Sequence, residues 1–226
     1  MTVTVNKERW KQAQENELRL WKHHPDHISD DWNMWWKKQF DNYSAIKELK
    51  ISSVLEVGCG PFAQNIQYVL SSLSSLSVNI ALNDSLLFQY IEAKKPVANF
   101  IDKFRVSLYA CSLEELKTKE HYDCVVCINV LGHAFCVDDC MKSIEGVLSD
   151  DGILILGEDL TNDVDLRNYP QADVMHPLRF DRSNMDPFLN KYRSLFDKVL
   201  SREEGRNPQA HCGTLLFIGR KNDSQL

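Results

Sequence analysis

The segment Val54-Leu55-Glu56-Val57-Gly58-Cys59-Gly60-Pro61 constrains the fold of this chain more than any other. A short apolar strand runs into a turn with two glycines, and a helical stretch over 62–73 follows. Glycine lets the backbone approach a ligand closely, because no Cβ intervenes. At the carboxyl end of a first strand, this geometry binds a nucleotide-like cofactor. The third glycine of a dinucleotide fingerprint is absent, since Phe62-Ala63 follows. The turn is therefore poorly suited to a pyrophosphate and better suited to an adenosyl ligand without phosphates. Taken alone, it also reads as a plain strand–turn–helix.

The surrounding pattern alternates strands and helices. Apolar runs at 53–57, 78–82, 104–109, 122–129 and 152–156 read as strands, with helices expected over 62–73, 86–94, 113–117 and 137–148. A helix over 183–195 and strands at 196–201 and 213–220 complete the series. Such alternation predicts an α/β fold, a mostly parallel sheet with helices on both faces. Ahead of it, residues 6–24 carry Trp10, Ala13, Gln14, Glu17, Leu18 and Trp21 at helical spacing. The run His23-His24-Pro25-Asp26-His27 breaks that helix and reads as a solvated turn. A second helical stretch, 30–49, is rich in aromatics. The expected division is an N-terminal helical lid over 1–49, a core over 50–220 and a flexible tail over 221–226.

Asp84 follows the second strand, about 25 residues after the glycine turn, which suits one βαβ unit. An acid there accepts hydrogen bonds from ribose hydroxyls, and it can also cap the helix that follows. Composition narrows the partners. The formal net charge is -6, with no Lys/Arg block, so nucleic acid is not expected. No apolar run is long enough for a membrane span, and the expected compartment is the cytoplasm. The seven cysteines include Cys124 and Cys127 on one strand, with Cys136, Cys140 and His133 nearby. Residues three apart on a strand point to opposite faces, so reduced buried thiols are expected rather than a metal site.

From about residue 50 to 220 the chain resembles the class I S-adenosylmethionine-dependent methyltransferases. Val54–Pro61 is similar to that family's first motif, Asp84 to its ribose-binding acid, and Cys111-Ser112-Leu113-Glu114-Glu115-Leu116 to the segment that meets adenine. Residues 122–133 resemble the fourth-strand motif, and Ser149-Asp150-Asp151-Gly152-Ile153-Leu154-Ile155 the turn and fifth strand. The resemblance implies a Rossmann-like seven-stranded sheet, its last strand antiparallel and inserted between its neighbours. It implies S-adenosylmethionine as cofactor, held by Glu56, Gly58, Cys59, Gly60, Asp84, Ser112, Leu113 and Asn129. The N-terminal helix and His176-Pro177-Leu178-Arg179-Phe180 are similar to a bacterial subgroup, a likeness that fixes no substrate; Arg179 is a candidate for the substrate pocket.

The expected reaction is methyl transfer to an oxygen or nitrogen of a small molecule, such as a sugar, a lipid head group or a secondary metabolite. Alignment supplies most of the acceleration, and a hydroxyl acceptor gains from a general base. His133 and His176 are the candidates, because their segments follow the fourth and fifth strands; packing and capping are the plainer roles for each. Trp32 and Trp36 either join the core or wall the substrate pocket. Two other classes remain at this stage: a catalytically silent cofactor-binding regulator, and a nicotinamide-dependent oxidoreductase.

Overall fold

In the computed structural model, the described residues are 3–24, 29–40, 50–73, 77–168 and 174–222. Two helices come first, α1 (Lys7–His23) and α2 (Ser29–Phe40). The core runs β1 (Ser53–Val57), α3 (Gln64–Ser72), β2 (Asn79–Asn83), α4 (Leu87–Glu92), α5 (Pro96–Lys103), β3 (Val106–Tyr109) and β4 (Tyr122–Ile128). It continues with α6 (Val137–Val147), β5 (Leu148–Leu160), α7 (Asp163–Asn168), α8 (Arg182–Leu189), β6 (Tyr192–Ser201) and β7 (Gly213–Lys221). The sheet order is β3-β2-β1-β4-β5-β7-β6. Strands β1 to β5 pair in parallel, and β7 lies antiparallel between β5 and β6. This is the seven-stranded arrangement expected from the sequence, with the inserted antiparallel strand.

Alternation along the strands divides the core between the two faces of the sheet. Leu55, Val57, Val125, Cys127, Leu154 and Leu156 pack with α6 and α8 on one face. Val54, Cys124, Val126, Ile153 and Ile155 pack with α3, α4 and α5 on the other. Cys124 and Cys127 therefore sit in different halves of the core. Among the described residues, no three His, Cys, Asp or Glu are grouped to hold a metal.

Three boundaries differ from the sequence reading. Helix α5 was not anticipated. It opens with Pro96 at its first turn, where the missing N–H costs nothing, and buries Val97 and Phe100. The helix expected over 183–195 stops at Leu189, because β6 starts at Tyr192 to pair with β7. The turn expected at 149–152 lies inside β5 as an irregularity: Tyr122 faces Leu148, whereas Cys124 faces Ile153. Of the second N-terminal helix, residues 41–49 lie outside the described residues, as do 25–28 of the histidine turn and 223–226 of the tail.

The N-terminal helices dock at the carboxyl ends of the strands. A short bridge pairs Thr4 with Cys136, and the backbones of Val3 and Val5 bond to Val137 and Phe135. Helix α1 starts from this anchor, capped by Asn6 on the Arg9 N–H. Helix α2 lays Trp36 on β5 at Gly157. A Cβ built there would come within 2.6 Å of the indole ring. Gly157→Ala should thus push Trp36 off the strand and cost about 1–3 kcal/mol by overpacking. Urea unfolding should show the lower midpoint and tryptophan emission a red shift. An unchanged midpoint and spectrum would mean that α2 does not rest there.

Candidate active site

A cavity of about 380 Å³ opens beyond the carboxyl ends of β1, β2 and β4, under α1 and α2. Its floor is the glycine turn. Gly58 and Gly60 both have left-handed backbone, φ +60° and +57°, which glycine adopts without strain. The two have different spatial reasons for lacking a side chain. A Cβ on Gly58 would lie 2.5 Å from the Val130 side chain, whereas one on Gly60 would meet nothing within 4 Å. Gly58 permits close packing of the β4 turn, and Gly60 leaves open space toward the cavity.

Two acids hold this floor. Asp84 accepts the Gly60 N–H on Oδ2 at 2.9 Å and the Leu86 N–H on Oδ1 at 2.8 Å. It thereby ties the first turn to the residue that opens α4, whose N-cap is Leu86 with no side-chain cap, so the capping role read from the sequence falls to a bond one residue ahead of the helix. Each oxygen retains lone-pair capacity for a hydroxyl. Burial pushes its carboxyl up to about 6, against those two N–H donors. Glu56 points away from the cavity lining. Its carboxylate accepts Asn65 Nδ2 at 3.1 Å and the Ile66 N–H at 3.2 Å, steadying the first turn of α3. Burial pushes it to about 8.

The remaining walls come from several elements. Cys59, Ser112, Leu113 and Asn129 line the cavity. Ser112 Oγ is buried there, and its polar neighbour is the Glu115 carboxylate. Asn129 turns into left-handed backbone, φ +58°, and gives its N–H to Gly157 O at 2.7 Å. After it, a single 3-10 turn over Leu131–His133 is held by Glu158 of β5. That carboxylate accepts the N–H groups of Val130, Leu131 and Gly132 at 2.9, 3.0 and 3.1 Å. Burial pushes it to about 7.

His133 and His176 both line the cavity, with ring centroids 4.2 Å apart. Trp36 lines it too and is 2% exposed. Trp32 lies on α2, but its side chain is outside the described residues. Arg179 is not on the lining: its guanidinium turns to the carbonyls of His176, close by, and of Leu178 at 2.7 Å. Several lining residues were not picked out as site residues in the sequence. Glu17, Gln14 and Trp10 come from α1, and Arg206, held by Asp159 at 2.6 Å, from the β6–β7 connection. The helical spacing of residues 10, 14 and 17 was legible, but not what their shared face would meet.

Residues 55–156 match a family described as "Methyltransferase domain". The curated proteins give no match. Among solved structures, the chain is similar to N-methyltransferase NodS from Bradyrhizobium japonicum in complex with S-adenosyl-L-homocysteine. Identity is 15% and TM-score 0.67, over 93% of this chain and 98% of that one. It is also similar to a Burkholderia thailandensis 1,6-didemethyltoxoflavin-N1-methyltransferase, at 16% identity and TM-score 0.54, over 88% and 86%. A third similar structure is the plantazolicin methyltransferase BpumL, at 13% identity and TM-score 0.57, over 96% and 100%.

Asp84, Glu158 and Glu56 share one consequence. Their folded values, about 6, 7 and 8, stand above the ordinary 3.8 and 4.5, so the folded chain holds their protons more tightly than the unfolded chain. The stability they contribute is complete below about pH 4 and is lost as pH rises through those values. His133, also raised, acts in the same sense; His211, lowered by burial, opposes it around pH 6.5, and Glu17, lowered, acts only below about pH 4.5. Urea unfolding of the ligand-free chain should therefore give a free energy that falls from pH 5 to 8.5. Glu158→Gln should flatten the fall near pH 7, and a rising profile in the wild type would contradict the burial argument.

Proposed function

The chain carries a methyltransferase domain over residues 55–156, and on that premise we propose that its cavity binds S-adenosylmethionine for methyl transfer to an oxygen or nitrogen of a small-molecule acceptor. The observation that carries this reading is the coupling of Gly60 to Asp84, a glycine open to the cavity beside an acid with spare lone pairs. Gly58, Cys59 and Gly60 would hold the amino-acid end of the cofactor, and Asp84 its ribose hydroxyls. Ser112, buried on the cavity lining, fits a polar edge of the adenine, and Leu113 its face. Asn129 would border the same space from β4. Glu56 acts from behind, through the helix start it holds. When bound, S-adenosylmethionine supplies an electrophilic methyl group on a sulfonium.

The chain's own contribution is orientation and exclusion of water. Trp10, Trp21, Trp36 and Phe62 make the acceptor side largely aromatic, which suits a compact organic molecule. Two of the similar structures support this class by their descriptions, one with bound 1,6-didemethyltoxoflavin and one with a triazolic desmethylPZN analog. The helices over 1–49 act as the lid of the 50–220 core in this reading. The inserted antiparallel β7 and the missing third glycine argue against a nicotinamide enzyme. Among the described residues, no helix is long and apolar enough to cross a membrane.

Calorimetric titration with S-adenosylhomocysteine should show binding in the micromolar range, about -8 kcal/mol. Asp84→Asn should weaken it by about 1–3 kcal/mol through lost charge-assisted hydrogen bonds. Equal affinity in the variant would remove the ribose assignment. Binding without turnover of methyl-labelled S-adenosylmethionine against a broad acceptor panel would favour a silent regulator.

A further inference from the structure

Helix α1 presents one stripe to one residue. Trp10, Gln14 and Glu17 stand four and then three positions apart, so they share a face. All three meet His133. Trp10 Nε1 and Gln14 Nε2 donate to its carbonyl at 3.1 and 3.3 Å, and Glu17 Oε2 lies 3.1 Å from its Nδ1. Trp21, the next residue on the stripe, donates its indole N–H to Glu17 Oε1 at 2.6 Å. Glu17 Oε1 takes the indole N–H, while Oε2 and His133 Nδ1, both buried and neither in a well-aligned hydrogen bond, stand 3.1 Å apart as an ion pair. Gln14 also bonds Ser85, beside Asp84, so the same face reaches both sides of the cavity.

A carboxylate in a half-buried cavity wall is costly to keep charged without a partner. Here the partner is a histidine that lines the cavity and turns its Nδ1 edge to the carboxylate at 3.1 Å. Nε2 is the nitrogen left to accept a proton. We propose that Glu17 is the positioning residue of a base, His133, that takes the proton from an acceptor entering still protonated, as an alcohol or phenol does. This rests on the methyl-transfer reading of the cavity. It adds that docking of α1 and assembly of the base are one event.

The step balances simply. The acceptor's proton passes to Nε2 as its oxygen bonds to the methyl carbon. The electron pair of the broken carbon–sulfur bond stays on sulfur. Glu17 stabilises the imidazolium until water carries the proton away. The charged groups facing the ring are Glu17 from α1, Asp84 beyond β2 and Glu158 from β5, with the His176 ring tilted 50° against it. Burial works against a charged ring, and the three acids more than offset it, holding His133 above its ordinary value. Burial likewise works against Glu17, but His133 and Trp21 keep it below the usual carboxylate range.

The test is histidine NMR on the full chain, which has seven histidines, with His133→Gln to assign the resonance. In the wild type, His133 should titrate above 6.5. Glu17→Gln should lower it by about one unit or more while histidines away from the cavity keep their values. A wild-type value below 6.5 overturns the dyad by itself, even if Glu17→Gln does not fold. An unmoved His133 in a folded Glu17→Gln overturns it as well. S-adenosylhomocysteine titrated into the wild type separates the two layers. No binding overturns the methyl-transfer reading and the role of the base with it; binding with an unmoved His133 overturns the dyad alone.

Discussion

One buried carboxylate organises the acceptor side of the molecule. Glu158, 1% exposed on β5, gathers three consecutive N–H groups from the chain leaving β4. Those groups are the unsatisfied donors of a single helical turn, which a carboxylate complements well. Because the turn is fixed, Val130 can pack over Gly58, and His133 stands where α1 finds both its carbonyl and its ring. The glycine turn, helix α1 and His133 thus share a support that itself stays off the cavity lining. The other two acids follow the same logic. Glu56 holds the start of α3 and Asp84 the start of α4.

The sheet was legible because its strands are apolar runs separated by strong punctuation. Gly58 and Gly60 mark the first turn, and buried residues on both faces make β1, β2, β4 and the second half of β5 continuous hydrophobic runs, whereas the edge strand β3 is only partly buried. The inserted last strand came from family resemblance and not from periodicity, since nothing local distinguishes β7 from its neighbours. Local signals failed where tertiary pairing decided the outcome. Tyr192-Arg193-Ser194 could extend α8 as readily as begin β6, until β7 lies alongside. Asp150-Asp151 reads as a turn, yet the pair lies inside β5 as a register irregularity, with Asp151 in left-handed backbone.

The site was legible in proportion to how much of it is backbone. Glycines and a following acid write a turn into sequence, so Gly58, Gly60 and Asp84 could be named and stand together. Glu17 could not. Its significance depends on meeting a residue 116 positions away across the fold. Arg179 shows the converse, a cation in a suggestive segment that spends its guanidinium on the carbonyls of its own loop. Arg206 had no segment to announce it, and it reaches the cavity through Asp159 and the ring of Trp36.

The bridge between Thr4 and Cys136 has a mechanical meaning. It fastens the chain just ahead of α1 to the segment just after His133, so the helix is tethered beside the very residue it covers. Seventeen residues of helix make a lever about 25 Å long. The far end of that lever is held too, by Trp21 against Phe62 of the glycine turn and by the His24 carbonyl, which accepts Lys95 Nζ at 3.0 Å. A rotation about residues 3–5 would have to break those far contacts while it disturbed Trp10 least, and the tether would return the same face to the same histidine.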